Sequence, residues 1–495
     1  MSAYALLLAR VKRMYALRDA AEILGWDQQV MMPPGGVEAR AAQMSALSAS
    51  MHEILVAPET GRLLAEAERS AKTDDERAVL REVRLEHDRA VRVPTELVEA
   101  LSLAAARGFE AWVEAKKASD FARFRKPLAE ILELRRKYAA AAAPDVPAYE
   151  ALFQDFEPWI PLADARRNLS ELRDGLRPLV ERARKREAPI PTTFDGHWPK
   201  DKQEALAKKV CAMLGYDFAR GRLDTSPHPF SAGGAHDARI TTRYDERTPV
   251  PGLLGAVHEA GHAMYMQGQP AEHMGTPLGD ARDLVVHESQ SRLWENHVGR
   301  SLGFWEKALP MMRETFPGNL RGAEPWDCWA AVNDVRPTLI RVDADELTYH
   351  MHVALRFEIE EALVSGKLPI QEVPHRWNEI MRRDLGLTPP DDAHGCLQDM
   401  HWSGGAIGYF PTYSLGSMLS AQLMQTYVQE GRVHHSRISG EVDDFPGLLA
   451  WLRQRIHSQG KRYTTPDLIV RATGKPLSPG PFLSYASAKY DRLWA

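Results

Sequence analysis

Two histidines four residues apart, in His258-Glu259-Ala260-Gly261-His262, constrain this chain more than any other feature. The spacing suits a helix, where positions i and i+4 share a face about 6 Å apart along the axis. From one face both imidazoles reach a single zinc through bonds of about 2.0–2.1 Å. Glu259 follows the first histidine, so it can stand beside the open coordination position and take a proton from an attacking water. The flanks suit a helix entering a core. Val250-Pro251-Gly252 reads as a break, and Leu253-Leu254-Gly255-Ala256-Val257 is an apolar lead-in. Gly261 costs a helix about 1 kcal/mol relative to alanine, so its place mid-helix points to a packing or site requirement. The pattern reads as zinc-dependent hydrolysis of peptide bonds.

A third ligand has to come from elsewhere. The three-histidine pattern needs a glycine and a histidine at fixed offsets beyond the second histidine. Tyr265 and Gly268 occupy those offsets, which excludes that class. A glutamate from a later helix remains. Residues 278–294 read as that helix, with Asp280 or Asp283 near its start and Gly299 near its end. Its candidates, His287 and Glu288, stand about 100° apart around the axis, so one of them faces the metal. Glu288 is favoured, because two histidines and a glutamate leave a fourth position open for catalysis. His287 then reads as a donor behind the metal or on the substrate side, or as a packed helix histidine.

The run His287-Glu288-Ser289-Gln290-Ser291-Arg292, following His258-Glu259-Ala260-Gly261-His262, resembles the carboxypeptidase Taq family of metallocarboxypeptidases. Further motifs of that family stand in order: His228-Pro229-Phe230, Asp237-Ala238-Arg239-Ile240-Thr241, Ile340-Arg341-Val342-Asp343-Ala344-Asp345, and Gly395-Cys396-Leu397-Gln398-Asp399-Met400-His401-Trp402. The run from Gly25 to Pro34 is also similar, so the likeness covers nearly the whole chain. Glu346 departs from it, standing where some members carry proline; that bears on a turn or helix start. The resemblance implies a mainly α, saddle-like fold with a deep cleft and a small β-sheet beside the metal helix. It implies His258, His262 and Glu288 as ligands of zinc, with cobalt as a substitute, and Glu259 as base and proton shuttle. It further implies release of C-terminal amino acids from peptides with broad specificity, by a homodimer.

An exopeptidase must also recognise a free C-terminal carboxylate, for which an arginine fork suits better than a lysine. Arg239, Arg292, Arg336 and Arg341 are candidates, and the resemblance points to Arg341; the alternative for Arg341 is an ion pair with Asp343 or Asp345. Arg239 has Asp237 close by as a structural partner. His228 stands in a rigid, two-proline segment on the substrate side. Donors for the developing oxyanion are expected near Gly404–Gly416, with Tyr409 first, and Tyr413 or His401 beside it. Residues 238–244 form the best strand, after a turn at Ala232–Ala235, and a strand edge there could pair with an extended peptide.

The whole chain sets bounds. At 495 residues it holds a large core, and the proline-rich stretch from Ala188 to Thr193 divides an N-terminal helical half (1–190) from a catalytic half (191–495) of one continuous unit. Asp75–Arg92 and Phe121–Ala143 read as amphipathic helices. A net charge of −5 with mixed signs argues against a nucleic-acid partner. No apolar run reaches membrane-spanning length. Arg10, Lys12 and Arg13 interrupt the first apolar run before it resembles a secretory signal. The three cysteines, Cys211, Cys328 and Cys396, are far apart and odd in number, so a reducing cytoplasm is expected. Cys396 reads as a small buried side chain. Two rival functions remain in view: a zinc oligopeptidase that cuts internally, and a peptide-binding scaffold stabilised by zinc.

Overall fold

The helix expected around the two histidines forms, and Val257, Ala260 and Ala263 on its inner side are fully buried. A computed structural model describes residues 1–432 and 442–495, and among these are nineteen α-helices and one three-stranded sheet. The first layer runs α1 (Ala3–Val30), α2 (Val37–Val56), α3 (Pro58–Ser70) and α4 (Asp74–Arg92). Then follow α5 (Thr95–Ala118), α6 (Phe121–Ala142), α7 (Ala148–Phe153), α8 (Leu162–Lys185) and α9 (Lys200–Leu214). The strands β1 (Gly221–Thr225), β2 (Ser231–Gly234) and β3 (Asp237–Thr242) precede α10 (Val250–Gln267) and α11 (Leu284–Arg292). The chain continues through α12 (Leu302–Thr315), α13 (Pro325–Val332), α14 (Tyr349–Val364) and α15 (Val373–Leu385). It ends with α16 (Pro411–Gln429), α17 (Phe445–Arg455), α18 (Thr465–Thr473) and α19 (Gly480–Leu493).

Local rules account for many boundaries. Thr73 caps α4 and Glu76 returns the bond to the Thr73 backbone, a reciprocal cap that satisfies two orphan amides. Asp120 caps α6 in the same sense, its carboxylate accepting from the Ala122 amide. Pro251 and Gly252, read as a break, lie instead inside the first turn of α10, where proline's missing N–H has no partner to lose.

Two apolar clusters fill the interior. The smaller joins Leu7, Val11 and Tyr15 of α1 to Leu63 and Leu64 of α3, Val79 and Val83 of α4, and Leu278. The larger runs from Ala115 to Tyr490 and includes residues of α6 to α8 beside those of α9 to α19. Apolar contact therefore crosses the Pro189–Pro191 stretch, and the division of the chain there stays a proposal about its organisation.

The sheet corrects one expectation. β3 is the middle strand, parallel to β1 (Gly221 opposite Ala238) and antiparallel to β2 (Ser231 opposite Ile240). It has no free edge to offer a peptide. The glycine-bearing stretch taken for a turn supplies β2: Gly233 adopts φ +98°, yet pairing with β3 keeps the segment extended. The strand edge beside α10 is thus β2, with the outward Gly233 amide donating to Glu22 of α1 at 3.1 Å.

Candidate active site

Three helices build the centre. α10 presents His258 and His262, and α11 crosses it so closely that a Cβ on Gly261 would fall 2.7 Å from Ser291 Cα. That contact explains the glycine. On the far side of α11, a Cβ on Gly416 of α16 would lie 2.8 Å from Glu288 Cβ. Glu288 is thereby pressed between two helices, and its Oε2 stands 3.5 Å from His262 Nε2 and 3.8 Å from His258 Nε2. The donor atoms of these three residues all lie within 4.8 Å of one another. A tetrahedral ion with bonds of about 2.0–2.1 Å would space its ligands by roughly 3.3 Å, so two imidazoles and a carboxylate at these separations fit a divalent cation.

The helix expected at residues 278–294 begins later than its sequence suggests. Pro277–Gly279 is a short turn, and Asp283 directly precedes α11. Beyond Arg292 the chain widens into a π-helical turn, Leu293–Gly299. That widening sets Glu295 opposite α10, where its Oε2 lies 2.8 Å from His258 Nδ1. Arg292 bridges the two acids, donating from Nε to Glu288 Oε1 at 2.6 Å and from NH1 to Glu295 Oε2 at 3.2 Å. Burial opposes ionisation of Glu288, but Arg292 and the two histidines hold its carboxyl well below the usual range. Glu295 is likewise held down, to about 2, by Arg292 and His258 against the effect of burial.

His287 stands behind His262. Their Nδ1 atoms are 2.6 Å apart, and burial followed by the neighbouring His262 pushes His287 down to about 3. A neutral His287 can accept the Nδ1 proton of His262, leaving the Nε2 lone pair of His262 directed at Glu288. Both histidines of α10 therefore have one ring nitrogen engaged from behind and the other facing Glu288. Glu259 is buried beside them; burial raises its pKa, His258 and His262 oppose that rise, and the Ser231 hydroxyl of β2 hydrogen-bonds to it.

Arg341 is buried but not against the acids suggested by sequence. Its Nε and NH2 donate to Asp399 Oδ1 at 3.0 and 2.9 Å, and its NH1 donates to the Tyr349 hydroxyl at 3.0 Å. Asp343 and Asp345 take no part; Asp345 accepts from Thr348 instead. The rings of Tyr349 and Tyr413 lie 6.0 Å apart, those of Tyr413 and Tyr409 5.2 Å, and those of Tyr409 and His401 5.6 Å. This wall reaches the acid centre: burial, then the charge on Glu288, pushes Tyr409 up to about 12. Tyr413 opens α16, while Tyr409 precedes the helix, so the two meet through the loop and not along one helical face.

Other sequence candidates stand apart or are otherwise engaged. Arg239 forms a two-bond pair with Asp237 (2.9 and 2.8 Å) and lies 4.3 Å over the Trp26 ring. Arg336 donates to Asp334 and to the Ala188 and Pro189 carbonyls, pinning the proline-rich stretch. His228 is exposed in the segment between β1 and β2. Glu346, at the departure from the family pattern, is buried and accepts from Lys489 Nζ at 2.6 Å. Cys396 and the other two cysteines are buried and free. Sequence reasoning missed Glu295, Tyr349 and Asp399 as members of this site. Asp399 lay inside a quoted motif, which was a usable signal; Glu295 depends on a π-turn that no periodicity announces.

A helical molecule with an HExxH helix, crossed by a second helix carrying a glutamate, belongs to the class of metallopeptidases. Comparison with known proteins narrows this. The pattern of the carboxypeptidase Taq (M32) metallopeptidase family matches residues 6–490, and the chain is a member of that family. It is 39% identical to Thermostable carboxypeptidase 1 of Thermus thermophilus, over 100% of this chain and 99% of that relative. Among solved structures, the M32 carboxypeptidase from Deinococcus radiodurans R1 aligns with TM-score 0.95 at 36% identity, covering 99% of each chain. Metallocarboxypeptidase 1 of Trypanosoma cruzi aligns with TM-score 0.93 at 36% identity, again over 99% of each chain. The chain is a metal-dependent carboxypeptidase.

Proposed function

We propose that this enzyme releases C-terminal residues from peptides with broad specificity, using zinc held by His258, His262 and Glu288 and Glu259 as the general base. The observation that carries the reading is the convergence of His258 Nε2, His262 Nε2 and Glu288 Oε2, with Glu259 alongside. A zinc ion bound there supplies Lewis acidity, which polarises the scissile carbonyl and acidifies water; cobalt suits the same donors.

The protein's own groups do the rest. Glu259 takes the proton from the attacking water and delivers it to the departing amine nitrogen. Tyr409, protonated through neutral pH because its pKa is raised to about 12, donates to the developing oxyanion. His401, brought down to about 4 by burial, is neutral and offers a further N–H. Arg341, steadied by Asp399, Tyr349 and Tyr413, binds the terminal carboxylate with its remaining N–H groups. Arg239 and His228 flank the peptide further out, and His287 orients His262. The homodimer is what the family resemblance implies, and the cytoplasmic setting is supported by three buried cysteines that are free of disulfides, as in a reducing compartment. Among the described residues no helix is long and apolar enough to cross a membrane.

The test is reconstitution. Protein stripped by a chelator regains release of C-terminal residues on adding zinc, and Glu259→Gln binds the metal equally but loses about 10²–10⁴ in kcat. Full activity in Glu259→Gln would remove it as the base.

A further inference from the structure

One buried carboxylate grips both ends of the segment that carries two proposed site residues. Glu360 of α14 accepts from the Trp402 indole at Oε1 (2.8 Å) and from the Gly408 amide at Oε2 (3.0 Å). Trp402 directly follows His401, and Gly408 directly precedes Tyr409. A third donor, the Tyr149 hydroxyl of α7, reaches Oε2 at 3.0 Å. Glu360 is 1% exposed, and its charge is compensated by these three donors together with the nearby charge of Arg356. The Gly408 end is also fixed sterically: it adopts φ +91°, and a Cβ there would lie 2.8 Å from the Phe153 amide nitrogen.

We propose that Glu360 is a positioning residue that holds the His401–Tyr409 segment in its substrate-binding form, and that protonation of Glu360 loosens the segment and weakens peptide binding. Protonation makes all three bonds neutral, and neutral bonds are about half as strong as those to a carboxylate, so the Trp402 and Gly408 ends loosen together. Burial raises the group to about 7, with the three donors pulling the other way, so the switch falls within the physiological range. The charged groups around it do not titrate there. Arg356 on the same helix is about 10 and bonded to Asp399; Asp399 is held well below the usual range by its arginines against burial; His401 is about 4; Tyr149 is raised well above its ordinary value by burial.

The proposal rests on His401 and Tyr409 serving the reaction, and the experiment separates the two. Peptide affinity is measured by calorimetry from pH 6 to 8 on zinc-loaded Glu259→Gln protein, which does not turn over, with and without Glu360→Gln. With Glu360 present, Kd should fall about tenfold over that range. Glu360→Gln, whose amide nitrogen faces the indole N–H, should show the weak, acid-side Kd throughout. Trp402→Phe, which removes only the indole donor, should weaken binding at pH 8 about as much and flatten the profile, which covers the case in which Glu360→Gln fails to fold. Zinc affinity should be unchanged in both. The same pH dependence with and without Glu360, or unchanged Kd in Trp402→Phe, would overturn the tether. Full activity in both His401→Ala and Tyr409→Phe would overturn the functional reading of the segment, and the tether with it; impaired activity there beside unaltered Glu360→Gln binding would overturn the tether alone.

Discussion

Each Nδ1 of His258 and His262 has its own neighbour, while both Nε2 atoms face Glu288. Glu295 takes the Nδ1 side of His258 and His287 takes the Nδ1 side of His262, so both Nε2 atoms present lone pairs toward Glu288. Partners behind a metal-binding histidine typically contribute about 10–100-fold to metal affinity. Glu295→Gln should therefore weaken zinc binding by that order in a competition titration with a chelator, beyond the loss of stability that follows from leaving Arg292 without this carboxylate. An unchanged zinc affinity would reduce Glu295 to a partner of Arg292 and Arg300. Neither role could be read from sequence. His287 was recognised as adjacent to a ligand, but its direction depends on how α11 crosses α10.

Helix crossings bring His258, His262 and Glu288 together, and glycine sets how close the crossings come. Gly261 admits α11 to α10, and Gly416 admits α16 to α11 beside Glu288. A methyl group at residue 416 would meet Glu288 Cβ and Cγ at 2.8 Å, atoms that cannot move without shifting the carboxylate. Overpacking of this kind costs about 1–3 kcal/mol. Gly416→Ala should lower the denaturation midpoint accordingly and weaken metal binding as well; a variant with parental zinc affinity would show that the α11–α16 contact does not set Glu288. The sequence made part of this legible. The HExxH spacing and the helical cost of Gly261 announced α10 and a close neighbour, while Gly416 lay in an apolar helix with nothing to mark its contact. Strand order was beyond reach for a related reason: β3 has the residues of a strand, but whether a strand is central or at an edge is decided by segments distant in sequence.

Across the whole molecule, buried ion pairs connect the N-terminal helices to the site. Arg282, just before α11, donates from NH1 and NH2 to Glu82 of α4 at 3.0 and 2.6 Å, and from NH2 to Asp283 at 2.8 Å. Both members of the Arg282–Glu82 pair are almost fully enclosed, so removing Arg282 strips Glu82 of two bonds and leaves it Arg81, at a cost of up to about 3–5 kcal/mol. Arg282→Met should lose stability of that size in chemical denaturation at pH 7. Burial raises Glu82, but Arg282, with Arg81 and Lys461 behind it, outweighs burial and the net shift is downward from 4.5. A depressed carboxylate stabilises the fold fully above its unfolded value, and that share is lost as pH falls through the folded value. The parent should thus lose stability below about pH 4.5, and Arg282→Met should lose less over the same interval; equal acid sensitivity would contradict the linkage. Helical class and the HExxH helix were readable from periodicity and motif, but a pair 200 residues apart in sequence carries no such mark.

The most direct test of the central claim compares one N-blocked dipeptide as its free acid and as its C-terminal amide, with zinc-loaded parent and Arg341→Gln. The account predicts metal-dependent release of the terminal residue from the acid, little from the amide, and a rise in KM for the acid in Arg341→Gln. Cleavage of the amide as fast as the acid would contradict it and make the enzyme an endopeptidase of the same metal class.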